Sequence, residues 1–418
     1  ARRSCNVVRA RRRNRREEGE DGMNGAAIIA LLVAPMIPSP AGPAGGGGME
    51  KACAVHREAI VFDAHCDTAM RLIGEGAVDL GDRLAEGHID LPRAREGGLD
   101  AQIFAVWVSP QVPETLYASR AVLMIDALRE QARRHADGME IALAGRDVRR
   151  IVKCGKLAAV IGIEGGHVIG DDPAALLGFY ERGVRCMTLT WMNTNKFADS
   201  SDDTAMWHGL NDRGREIVRE MDRLGMIIDC AHVSEETVHD VLAIARRPVI
   251  VSHSCMRALC DIPRNVSDEV VRAVAAAGGE VCGKELPGLL HKDYKVWVGV
   301  RWKKYRERAR ELAPQFDGNL ERAWREIAAD LERETAEIPP VPLARLVDHI
   351  DHAVSVAGID HVGLGSDFDG ISTMPVGLDD ASKLSAITEE LARRGYKRGD
   401  IKKILGGNLL RVVEKAMR

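Results

Sequence analysis

GMIIDCAHVSEETVHDVLAIARRPVIVSHS, residues 225–254, decides the fold. Two apolar runs, GMIIDCAH (225–232) and PVIVSHS (248–254), flank a helical segment. Each run has the length of a buried strand, and each ends at or near a histidine. The same alternation continues in both directions. Upstream lie IVFDAHCD (60–67), LDAQIFAVWV (99–108), LAAVIGIEGG (157–166) and VRCMTLTW (184–191); downstream lie EVCGKE (280–285) and HVGLGSD (361–367). Helical segments such as TLYASRAVLMIDALREQARRH and NDRGREIVREMDRLG separate them. Strands that alternate with helices argue for a parallel sheet, and eight such units predict an α/β fold, a (β/α)8 TIM barrel. A doubly wound open sheet is the competing architecture. It calls for a GxGxxG turn after a strand, and none occurs.

The segment 286–360 is too long for one barrel helix. Residues 295–337 hold ten basic and nine acidic side chains. That near-cancellation predicts a solvated helical insertion between strands 7 and 8 rather than a basic binding patch.

Composition sets outer limits. The chain has 418 residues, 58 Lys plus Arg and 62 Asp plus Glu, a formal charge of −4. This balance argues against a dedicated nucleic-acid binder. No run of 18 apolar residues occurs, which argues against a membrane span, and the amphipathic C-terminus is no lipid-anchor signal. The nine cysteines form no CxxC pair, and many sit in apolar runs. They read as buried free thiols in a reducing, cytoplasmic setting.

Residues 1–48 differ in character. Eight arginines fall in the first sixteen positions, followed by the apolar patch AAIIALLVAP and a Pro/Gly-rich stretch. Met23 and Met49 both offer starts. From Met23 the patch would sit like an export signal, but no Lys or Arg precedes it there. Residues 1–48 are expected to be a disordered extension, or sequence upstream of the true start, and 49–418 the barrel domain.

Polar residues gather where strands end. His65 and Asp67 close the first strand, and their i, i+2 spacing points both side chains to one face. Glu164 closes the third, His232 the fifth, His253 the sixth and Asp367 the eighth. One strand-end histidine is more often structural, and an Asp before Gly is usually a turn former. Six such groups at the catalytic end of one barrel point to a metal site. Three histidines and three carboxylates, with no thiolate, suit two divalent ions. Asp67, Glu164, Asp367 and one hydroxide balance the charge of two Zn²⁺, and Glu164 has two oxygens with which to bridge them. Such a pair activates water and polarises a carbonyl, so the expected reaction is hydrolysis of an amide or ester.

The ordered set HCD in VFDAHCDTAMRL, IEGGH, TLTW, DCAHVS, SHS, RNVSDE, HVGLGSDFDG and GGNLLRV resembles the membrane (renal) dipeptidase family of zinc metallopeptidases, over roughly residues 55–415. The resemblance implies an amidohydrolase-type barrel with two zinc ions. By it, His65 and Asp67 bind one zinc, Glu164 bridges, and His232 and His253 bind the second. Asp367 would contact the bridging hydroxide and shuttle its proton, and Arg264 would clamp the substrate's C-terminal carboxylate. It implies a dipeptide substrate, including dipeptides with a D-residue at the C-terminal position, and a homodimer. The alternative on the same barrel is an amidohydrolase acting on a carboxylate-bearing amide or lactone.

Two positions depart from the family pattern. Its fourth strand normally ends in a histidine that hydrogen-bonds the tetrahedral intermediate; here Trp191 stands there, placing it among the substrate-binding residues. The seventh strand reads VCGKELPGLL where a more apolar or Asn/Phe/Tyr-containing run is expected. His167, in EGGH, reads as structural.

Overall fold

The computed structural model describes residues 46–316, 338–371 and 373–417, with 323, 326, 327, 330, 333 and 334 between them. Most of the expected extension, and Cys5 with it, lies outside these residues. A first helix, Gly46–Glu58, begins three residues before the expected boundary at 49. It buries Ala52, Cys53 and Val55.

Nine parallel strands follow among the described residues: β1 (Val61–Cys66), β2 (Leu99–Trp107), β3 (Met139–Ile141), β4 (Leu157–Glu164), β5 (Val184–Thr188), β6 (Ile227–Asp229), β7 (Ile250–Ser254), β8 (Glu280–Lys284) and β9 (Val362–Gly365). Their order is β2-β1-β9-β8-β7-β6-β5-β4, and the ring closes because β4 also pairs with β2, from Ala101↔Ala158 to Trp107↔Glu164. Eight strands thus form the barrel. The short β3 pairs with the first residues of β4 and was not anticipated; three residues carry too little pattern to read.

The barrel strands are buried on both faces, as parallel strands under helices must be, with Trp107 at the end of β2 half-buried. Small side chains fill much of the interior. Ala64, Ala101, Ala158, Cys186 and Cys282 meet Phe62, Ile103, Val160, Ile227 and Ile250, and this cluster continues into Leu409, Leu410, Val412 and Val413 of the helix Asn408–Ala416. Gly406, at φ 156°, lets the turn before that helix lie against the backbone of β1, where a Cβ would stand 2.5 Å from Phe62 N.

Between β8 and β9 the chain adds Pro287–Leu290 and the helix Lys292–Leu312 before the barrel helix Leu343–Ala357. The insertion buries a small core of its own around Tyr305, Ala309 and Ile327. Exposed pairs such as Lys304–Glu334, at 2.7 Å, clothe it, in keeping with the near-cancelling charge. None of the described helices is long and apolar enough to cross a membrane. Seven of the eight described cysteines are buried; Cys154 is the correction, being exposed at the end of the helix Gly145–Lys153.

Candidate metal centre

The barrel brings His65, Asp67, Glu164, His232, His253 and Asp367 together at the C-terminal ends of its strands, all of them buried. β1 ends at Cys66, so Asp67 lies just beyond the strand rather than two residues along it. It reaches the site nonetheless, because the ends of β1 and β9 are laced together. Asp67 N donates to Phe368 O at 2.8 Å, and Asp367 N donates to His65 O at 3.1 Å. His232 stands three residues past β6, and the next helix starts almost at once, with the Ser234 hydroxyl accepting from Thr237 N. That short connection fixes the loop.

Two of these residues hold strained backbones. His232 has φ 67° and Asp367 φ 66°, the left-handed region that bulky side chains avoid. Such strain persists where the surroundings over-determine it, and it clusters at functional sites. The loop after Asp367 also depends on a glycine. A Cβ on Gly370 would drive into Asp67 Oδ2 and stand 2.8 Å from Asp367 Oδ1.

One oxygen organises the cluster. Glu164 Oε1 lies 3.0 Å from His232 Nε2, 3.4 Å from His253 Nε2 and 3.7 Å from His65 Nε2. His65 Nε2 also faces Asp67 Oδ2 at 3.6 Å and Asp367 Oδ1 at 3.7 Å. Three sets could each hold a cation: His65, Asp67 and Glu164; Glu164, His232 and His253; and His65, His253 and Asp367. In each set the ligand atoms lie within 4.8 Å of one another, and Glu164 is common to the first two. His65 Nε2, Asp67 Oδ1 and His232 Nδ1 are buried without a hydrogen-bond partner. Buried orphans are rare in proteins. Nitrogen and carboxylate donors of this kind fit divalent metal ions.

The electrostatics agree. Burial pulls His65 down, but the carboxylates of Glu164, Asp67 and Asp367 outweigh it and hold the imidazole up at about 9. Burial, then the charge of Asp67, pushes Glu164 up to about 8. Burial also raises Asp67. His232 and His253 are held well below the usual histidine range by burial, with nearby cations adding to it. Both therefore present neutral lone pairs, the form a metal requires.

A supporting layer stands behind His253. Ser252 Oγ lies 2.7 Å from His253 Nδ1 and donates to Asp229 Oδ2 at 2.5 Å, while Thr188 Oγ1 donates to the same oxygen at 2.6 Å. With the Ser252 proton committed to Asp229, His253 must donate from Nδ1, which turns the Nε2 lone pair toward Glu164.

The remaining expected residues fall around this core. Arg264 is buried; its Nη2 donates to His253 O at 2.7 Å, while Nε has no partner. Trp191 is not at a strand end, since β5 stops at Thr188. It lies in the following loop, half-buried, with its ring 5.0 Å from Trp107 and 6.4 Å from His232. His167 bonds the carbonyl of Val108 at 2.8 Å and packs edge-on to Tyr117, a structural placement.

Sequence reasoning passed over Asp229, Ser252, Trp107 and Lys284. Asp229 and Ser252 sit inside the quoted motifs DCAHVS and SHS, but nothing in those strings shows them bonded to each other. Lys284 ends β8, and its Nζ lies 2.6 Å from Asp367 Oδ2. Its unusual place in the seventh barrel strand was the available signal.

Comparison with known proteins places the chain. The membrane dipeptidase model, peptidase family M19, matches residues 49–418. Dipeptidase tcpJ of Claviceps purpurea is 32% identical over 338 residues, covering 79% of this chain and 69% of that protein. The crystal structure of the probable dipeptidase PvdM from Pseudomonas aeruginosa superposes with a TM-score of 0.74 at 27% identity, covering 89% of this chain and 98% of that one. A metallopeptidase from Rhodobacter sphaeroides, solved with a phosphinate mimic of L-Ala-D-Ala, shares the fold at a TM-score of 0.70 and 24% identity, covering 86% and 99%. With the family's profile matched from residue 49 to the C-terminus over a closed eight-stranded barrel, this chain belongs to the membrane dipeptidase family of metallopeptidases.

Proposed function

We infer that this chain is a dinuclear zinc dipeptidase. The observation that carries the reading is the single oxygen of Glu164 faced by three imidazole nitrogens at 3.0–3.7 Å. His65 and Asp67 would hold one ion and His232 and His253 the other, with Glu164 shared. Two bound divalent ions supply an acidified water and a polarised carbonyl. The relatives' designation as dipeptidases supports a dipeptide substrate.

The chain's own residues supply orientation and proton transfer. Arg264 has an unpartnered, buried Nε–H available for a substrate carboxylate, while its Nη2 stays on the His253 carbonyl. A charged donor held this way orients the scissile bond as well as binding the substrate. Asp367 directs Oδ1 toward His65 and so has an oxygen free to take and return a proton. Trp191, with Trp107, walls the mouth beside His232. It offers an indole N–H in place of a titratable group and narrows the space for side chains.

The test compares free dipeptides with their C-terminal amides, in L–L and L–D series, on the native protein and on Arg264→Met. The reading expects turnover of free dipeptides, poor turnover of amides, and loss of that preference in Arg264→Met at unchanged metal content. Equal rates on free and amidated dipeptides would remove Arg264 as the clamp. No hydrolysis of any dipeptide by fully metallated protein would overturn the dipeptidase reading.

A further inference from the structure

Lys284 ends β8 with its ammonium 2.6 Å from Asp367 Oδ2, and both side chains are buried. The other oxygen of Asp367 faces the nitrogen of His65 at 3.7 Å. The two oxygens of one carboxylate are thus divided between a lysine and the metal side of the site. The neighbouring Glu285 does not compete for the ammonium. It is fully buried with neither oxygen partnered, and burial pushes its carboxyl well above the ordinary range.

This division has a chemical consequence. Asp367 belongs to one of the three sets able to ligate a cation, together with His65 and His253. A carboxylate with both oxygens free can close on a cation in bidentate fashion. Once it does so, it is a ligand and no longer a base. An ammonium on Oδ2 blocks that collapse. It also places a positive charge against the cation site, which weakens cation binding.

We propose that Lys284 is a positioning residue that stops Asp367 closing on the metal with both oxygens, at the expense of metal affinity, so that Asp367 stays available for proton transfer. The proposal rests on the metal-centre reading above. It makes an unusual demand: removing Lys284 must tighten metal binding while slowing turnover. A residue needed only for folding or for building the site would weaken both.

The experiment measures zinc affinity by competition with a chromophoric chelator, together with steady-state kinetics, for the native protein, Lys284→Met, Lys284→Gln and Lys284→Arg. Thermal melts identify any variant that fails to fold, and the Met and Gln variants substitute for one another. Expected in Lys284→Met is zinc affinity higher by roughly tenfold, as one unit charge removed at close range allows. Its kcat should fall by about 10- to 100-fold, the scale of a misplaced catalytic group, with KM changed far less. Lys284→Arg, which retains the charge, should return both values toward native. Zinc affinity unchanged or weakened in both folded neutral variants, or kcat unchanged, would overturn the proposal. A native protein that binds no zinc would instead overturn the metal-centre reading.

Discussion

The Nε2 atoms of His232 and His253 stand 3.0 Å apart, and both face the same oxygen of Glu164. Burial, reinforced by the charges of Arg264, Lys284 and His65, keeps both rings neutral. Two neutral imidazoles and the Glu164 carboxyl converging on one small volume form a face that a cation could complete.

Ser252→Ala tests how far that face depends on its supporting layer. The change removes the acceptor for His253 Nδ1 and one donor to Asp229. Loss of such an outer-shell partner typically costs 10–100-fold in metal affinity or activity. A fall of that size is expected, measured by chelator competition, with the melting temperature little changed. An unaltered affinity would show that His253 is oriented by packing instead.

Gly370→Ala probes the loop beside the carboxylates. Its Cβ would collide with Asp67 Oδ2 and crowd Asp367 Oδ1. Turnover should fall by about 100-fold, the cost of an ångström's displacement in a catalytic site, and metal content should fall with it. Native activity in this variant would mean that the loop moves freely away from the site.

Asp367→Asn separates base from ligand. The amide cannot accept a proton, so turnover should drop by about 10²–10⁴-fold while both ions remain bound. Loss of an ion on metal analysis would instead make Asp367 a primary ligand.

Metal uptake should release protons. In the metal-free protein His65, at about 9, and Glu164, at about 8, both lie above their ordinary values and are protonated at neutral pH. Ligation must displace those protons. Calorimetry at pH 7 in buffers of different ionisation enthalpy should show net release, with affinity climbing up to about pH 9. The sign for stability is the opposite. Groups raised in the folded state favour folding at low pH, so the metal-free protein should lose stability as the pH rises through about 8 and 9. Uptake without proton release would contradict the assignment of His65 as a ligand.

The barrel was legible because its strands are largely apolar runs, broken by few polar residues such as Asp63, Gln102 and Arg185, and all eight begin within two residues of expectation, as with Leu99 and Leu157. The candidate ligands were legible because they sit at or just beyond strand ends, where the fold itself gathers them. Trp191 was placed wrongly because β5 ends at Thr188: Gly166 N reaches in to bond Leu189 O, and the chain turns away. Such a stop depends on a partner 23 positions earlier in the chain and leaves no local pattern. Lys284 was visible as an oddity, but its meaning depended on Asp367, which the fold brings to it from across β8 and β9.

Metal analysis of the purified protein tests the central claim most directly. Two divalent ions per chain, zinc among the metals offered, are expected to bind with Glu164 shared between them. His253→Ala should bind one ion fewer and lose nearly all dipeptide hydrolysis. Full dipeptide hydrolysis after exhaustive chelation, with no ion remaining, would contradict the account.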